Sequence, residues 1–246
     1  MKTLQTLALS MLMAVTGAFS ATVATAPAAP PSGVMPDLNH VWSPDEIVTA
    51  TNLAAAKVPL LTYATPDGKA FFDRLRAPDY FKELTDSKVP LKTRLQQSST
   101  MFAANSRLLI AYAAAADRGQ AGHAELSALD GLQMNYGSLS AILTTQVLAT
   151  ANPKDPKVAT IKASLDTGFS GLLAMTLKLV QLPHFLPPND VTYELRTMAS
   201  SLVSMKVFLT PASRAALSQQ LTAQRAQLTN PVDQQVIEDI LHTLAG

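Results

Sequence analysis

From Asp37 onward the apolar residues recur at the period of an α-helix. The last segment shows it best. Val232, Val236, Ile237, Ile240, Leu241 and Leu244 fall on one stripe, and Leu217, Leu221 and Leu228 repeat the spacing on an alanine background. No alternating run of β-branched residues is present, so strands are not expected. The starts of the helices are marked as well. Ser43-Pro44-Asp45-Glu46 joins an N-cap serine, a proline at the first helical position and a glutamate three residues after the cap. Thr65-Pro66-Asp67, Asp155-Pro156, Thr210-Pro211 and Asn230-Pro231 repeat the cap-then-proline start. Together these signals predict helices over 44–56, 67–76, 78–86, 91–117, 123–150, 156–181, 190–209, 211–228 and 231–244.

Charge then orders the helices in space. Residues 131–153 carry no ionic side chain, and residues 167–189 carry only Lys178. Burying an unpaired ionised group costs several kcal/mol, so long uncharged helices belong inside. The expected fold is one all-α domain over residues 37–246, a bundle of about 7–9 helices around a central uncharged hairpin made by 123–150 and 156–181. Gly131 and Gly137 on one helix, and Gly168 and Gly171 on the other, suggest close backbone approach where the pair crosses. A faint echo between Ala128-Leu129-Asp130-Gly131 and Ser164-Leu165-Asp166-Thr167-Gly168 leaves an α-solenoid as the alternative.

The amino terminus reads as an address. Met1-Lys2 precedes an apolar run from Leu4 to Phe19, followed by small residues, which is the pattern of a secretory signal peptide over 1–20 cut after Ser20. The run is too short for a membrane helix, and no Cys follows it to take a lipid anchor, so no stable membrane anchor is expected after cleavage. Residues 21–36, rich in Ala, Thr and Pro, read as a disordered leader. The chain has no Cys and no Asn-x-Ser/Thr sequon, which suits a bacterial periplasm. Removing Lys2 leaves 18 basic residues (19 less one) against 18 acidic ones, a balance that gives no footprint for nucleic acid.

Catalytic signatures are few. The chain of 246 residues has no G-x-S-x-G, S-x-x-K, Walker loop, G-x-G-x-x-G or H-E-x-x-H, and its lack of Cys excludes thiolate metal sites and covalent haem. Asp239 and Glu238 share a helical face with His242, but a carboxylate-bridged metal bundle needs a second such pair, so neither a metal nor a cofactor is expected. The stretch Glu125-Leu126-Ser127-Ala128-Leu129-Asp130-Gly131-Leu132-Gln133-Met134 resembles the Glu-Ser opening and Gly-Leu-Met-Gln segment of helical lytic transglycosylases. That resemblance implies a catalytic acid at Glu125 and a cell-wall substrate. The sequence departs from the pattern in three ways. Leu follows the Glu, Gln and Met are inverted, and the spacing is short. A solvent-facing Glu in a first helical turn accounts for Glu125 without chemistry.

Two features point to binding. Residues 63–81 interleave aromatic and basic residues, and Phe71, Phe72, Arg74, Arg76 and Tyr80 are candidates for a protein-partner surface. His184, Phe185 and Leu186, in the proline-stiffened loop 182–188, are further candidates. Polar uncharged groups on the hairpin (Gln133, Asn135, Tyr136 and Gln146), with Arg107, are candidates to line a pocket between helices. The expectation is a non-catalytic, exported helical protein that binds an unidentified protein, or alternatively a small apolar or neutral ligand, with a peptidoglycan-acting enzyme the third reading.

Overall fold

The computed structural model describes residues 34–77, 81, 84–181 and 186–246, and the signal segment, residues 21–33 of the leader and most of the expected helix 78–86 lie outside them. Among the described residues the protein is all-helical, a multi-helix bundle. Its α-helices are α1 (Pro44–Ala56), α2 (Pro66–Leu75), α3 (Leu91–Ala116), α4 (His123–Ala149), α5 (Pro156–Gln181), α6 (Pro188–Met205), α7 (Pro211–Arg225) and α8 (Pro231–Ala245).

The caps explain these boundaries. Ser43 Oγ accepts from the Glu46 N–H while Glu46 Oε2 accepts from the Ser43 N–H, so the capping box closes from both sides. Thr65 accepts from Gly68, Thr210 from Ser213 and Asn230 from Val232, each opening a helix whose first residue is proline. Three expected boundaries move. Helix α6 begins at Pro188 rather than 190, because a proline at the first position gives up only an N–H that a helix leaves unpaired anyway. It stops at Met205 in a 3₁₀ turn over Lys206–Phe208. Helix α7 closes at Arg225, where N–H groups of Gln227 and Leu228 tighten onto the carbonyls of Gln224 and Arg225.

Helix α4 is the axis of the bundle. It is buried almost continuously from Glu125 to Thr144, packed along α3 on one side and α6 on the other. With α5 it forms the hairpin expected from the uncharged runs, and α5 is buried mainly from Leu165 to Val180. Helix α1 covers α3, α7 lies on α5, and α8 lies on α6 and α7. The glycines of α4 work differently from the expected backbone crossing. A Cβ at Gly131 would sit 2.5 Å from the Tyr193 hydroxyl of α6, and one at Gly137 would sit 2.6 Å from Met205 Cε of α6 and 3.0 Å from Leu172 Cδ2 of α5. They admit side chains, chiefly from α6.

The aromatic segment is core. Trp42, Phe71, Phe72 and Tyr112 pack edge to face or tilted, with successive ring centroids 6.1, 5.3 and 5.6 Å apart, and Tyr63 stacks on Phe72 at 4.7 Å. This cluster fastens short α2 onto α3, with the Tyr112 hydroxyl donating to the Leu61 carbonyl. Gly68 sets how closely the preceding loop can fold over α2, since a Cβ there would meet the Thr62 carbonyl oxygen at 2.0 Å. That neighbour is backbone and cannot rotate away. Gly68→Ala is therefore expected to destabilise by about 1–3 kcal/mol and to lower the melting temperature by about 2–12 °C, read by calorimetry. An unchanged melting temperature would contradict the close approach.

Candidate functional site

The site is built on the face of α4 that α6 and the end of α2 leave partly open. Leu132, Asn135, Ser138, Leu139 and Ile142 follow one another at helical spacing and floor a groove of about 410 Å³, walled by Tyr193 of α6 and by Arg76 and Phe81. A smaller adjoining recess of about 250 Å³ continues along α4 over Ala124, Ser127 and Ala128, reaches Tyr63 and Asp190, and shares Arg76 and Tyr193 with the groove. The two form one trough with a mostly apolar floor and Arg76 near its middle.

Arg76 follows the last residue of α2 and reaches across to α6. Its guanidinium lies 5.5 Å from the centre of the Tyr193 ring, with the Tyr63 hydroxyl beside it. Among the described residues no carboxylate pairs with it. Burial pushes the Tyr63 phenol upward, so that hydroxyl stays neutral against the cation. At the recess end His123 Nδ1 lies 3.0 Å from Asp190 Oδ2, the acidic side chain on the trough wall among the described residues.

Beneath the floor lie two acids that the charge pattern did not bring forward. Asp130 of α4 and Glu194 of α6 are both 0% exposed, and their carboxyl groups interact with each other. Thr176 of α5 donates to Asp130 Oδ2 at 2.7 Å. Asp130 Oδ1 and both Glu194 oxygens receive no hydrogen bond from another group, and the Ser127 hydroxyl lies beside Glu194 without completing one. Two carboxylates cannot both be ionised in contact, out of water and with no cation, so a proton between them completes the contact. Burial drives the Asp130 carboxyl above its usual range, and burial together with the Asp130 charge drives Glu194 well above it. Both residues lie at core positions of their helices' apolar stripes: Asp130 beside Leu126, Leu129 and Gln133, and Glu194 beside Leu195 and Met198. An acid on such a stripe is the signal that could have found them.

The expected site residues separate. Phe71 and Phe72 are buried in the aromatic core and offer no surface to a partner. Arg74 is occupied in holding the Leu38 carbonyl at 3.1 Å. Among the described members of that group, Arg76 lines the trough. Leu186 is buried, while Tyr80, His184 and Phe185 lie outside the described residues. Of the expected ligand set, only Asn135 lines the groove. Gln133 is buried in a polar network, accepting from Asn105 Nδ2 at 2.6 Å and donating to Ser106 Oγ at 2.6 Å, so its amide serves the α3–α4 contact. Tyr136 is buried, Gln146 is exposed further along α4, and Arg107 donates to Asn52 Oδ1 at 2.8 Å.

Glu125 departs from the solvent-facing position expected for it. It is buried, and its two oxygens accept from the Tyr63 N–H at 2.8 Å and the Gly122 N–H at 3.0 Å. It ties the loop before α2 to the start of α4, a role that needs the carboxylate as a fixed acceptor. Ser127 stands one turn beyond His123, but no hydrogen bond between them is found among the described residues, where no group of three or more His, Cys, Asp or Glu side chains could hold a metal either. No protein-family model, curated protein or solved structure matches the chain.

The buried acids have a consequence for stability. Their folded-state pKa values lie above the unfolded ones, so their contribution is fully present at acid pH and is lost as pH rises through their raised range. Glu46, held below the usual carboxylate range by the Ser43 N–H, acts in the opposite sense only at lower pH. The wild-type melting temperature is therefore expected to fall between about pH 5 and about pH 8, and Glu194→Gln to exceed it by about 3–6 °C at the alkaline end. Parallel pH profiles for the two proteins would contradict this.

Proposed function

We propose that the protein is a non-catalytic binding bundle that takes a small amphipathic anion in the trough between α4, α6 and the end of α2. One observation carries the reading: Arg76 is a guanidinium without a carboxylate partner among the described residues, set over an aromatic ring in the middle of an apolar-floored trough. A cation with no carboxylate partner among the described residues favours an anionic group, and Leu132, Leu139 and Ile142 favour a hydrocarbon or aromatic body attached to it. Asn135 supplies a polar contact along the floor. The trough's size suits a small molecule, and burial of Phe71 and Phe72 removes the anchors on which a protein interface was expected to turn. The charge at Arg76 favours an anion over the neutral ligand that the uncharged hairpin suggested.

The test is calorimetric titration of naphthalene-2-sulfonate, whose charge does not vary with pH, into the full chain. Micromolar binding is expected, with Arg76→Gln weakening it at least about tenfold, the scale of one charge-assisted contact, while leaving the melting temperature nearly unchanged. Equal affinity in the variant would contradict the reading.

Export is part of the same proposal and rests on residues 1–20. N-terminal sequencing of the mature protein recovered from a Gram-negative periplasm is expected to begin at Ala21. Retention of Met1 in the cytosolic fraction would contradict it.

A further inference from the structure

We propose that the Asp130–Glu194 pair is a proton-binding site linked to the trough, so that an anion bound at Arg76 is taken up together with a proton. This rests on the anion reading above and adds a second, coupled ligand to the same site.

The linkage follows from how the two places share their walls. Glu194 and Tyr193 are consecutive on α6, one directed into the pair and the other lining both parts of the trough. Asp130 and Gly131 are consecutive on α4, and the Tyr193 hydroxyl sits against Gly131, where a Cβ would come within 2.5 Å of it. Ser127 completes the wall, since it lines the recess and lies beside Glu194. The pair is thus separated from the trough by one turn of α4 and one tyrosine, with both carboxyl groups fully buried. A charge gained or lost there reaches the trough through protein on its buried side, while Arg76 itself is exposed and partly screened by solvent.

The groups that face the pair can be named element by element. From α5 comes the Thr176 hydroxyl, which is neutral and donates to Asp130, while Lys178 of the same helix is exposed. From α3 comes the neutral Asn105 amide, donating to the Leu129 carbonyl beside Asp130. On α6 the nearby charge is Asp190, held by His123 of α4. From the α2 side comes Arg76, within the trough. Helix α8 contributes Asp233, which accepts from Thr192 on the neighbouring turn of α6. No cation among these reaches Asp130 or Glu194, so each proton lost from the pair leaves a negative charge behind the floor. That charge repels an anion at Arg76. By linkage, a bound anion draws a proton back onto the pair.

Naphthalene-2-sulfonate titrated into the full chain from about pH 5 to about pH 8, in two buffers of different ionisation enthalpy, reads both effects. The expected result is an affinity about tenfold lower at the alkaline end, with buffer-dependent heats showing net proton uptake on binding. The double variant Asp130→Asn, Glu194→Gln removes both titrating groups and is expected to bind with less than about a twofold change over the same range. Either single substitution leaves one buried acid and is expected to keep part of the dependence, which gives the readout should the double variant fold poorly. His123→Gln removes the competing imidazole and is expected to keep the tenfold dependence. A wild type that binds the sulfonate with pH-independent affinity overturns the linkage and leaves the anion site standing. Loss of the dependence in His123→Gln overturns it as well. No binding at any pH overturns the anion site and the linkage with it.

Discussion

Two carboxyl groups meet in the middle of the bundle with no cation beside them among the described residues, and three helices converge on that contact. It lies where α4, α5 and α6 converge, with Asp130 supplied by the first, Thr176 by the second and Glu194 by the third. Ionised together they would cost more than the helix contacts nearby could offset, so the folded state requires a proton on the pair. Replacing both acids with apolar residues would relieve that constraint, and nothing in the packing of α4 demands acids there. Asp130 stands at the edge of the uncharged run 131–153, where no other ionic side chain follows on α4.

The trough above them follows from the same three helices. Helix α4 presents a small-residue and leucine stripe, and Gly131 lets the Tyr193 ring lie close. The ring then backs Arg76, which arrives from the aromatic cluster that fastens α2 to the bundle. Each part has a local cause: the glycine permits the tyrosine, the tyrosine supports the arginine, and the buried acids set the electrostatic background. Glu125, which the resemblance to transglycosylases would make an acid catalyst, instead holds two backbone N–H groups and fixes the loop from which α2 departs.

Much of the fold was legible in the residues because helix starts were written in proline and small polar caps. α1, α5 and the start of α4 fall where the pattern put them, and the two uncharged runs became the hairpin. The aromatic segment was harder to read. Interleaved Phe and Arg describe a partner surface as readily as a core, yet Gly68, Phe71, Phe72 and Leu75 lie at helical spacing and form one buried face. Arg76, one residue further round, is the basic residue of that segment that lines the trough, beside Tyr63 and Phe81. The buried acids were the least legible. Asp130 and Glu194 lie 64 positions apart (194 less 130), and no local pattern announces that two separate stripes will bring their acids together. Tyr193 entered for the same reason, through packing on a glycine of another helix.

The direct measurement is the infrared spectrum of the full chain at neutral pH, recorded as the difference between wild type and Glu194→Gln, in H2O and D2O. The account predicts a carbonyl band of a protonated carboxylic acid that shifts on deuteration and is lost in the variant. A difference spectrum containing only ionised carboxylate bands would contradict it.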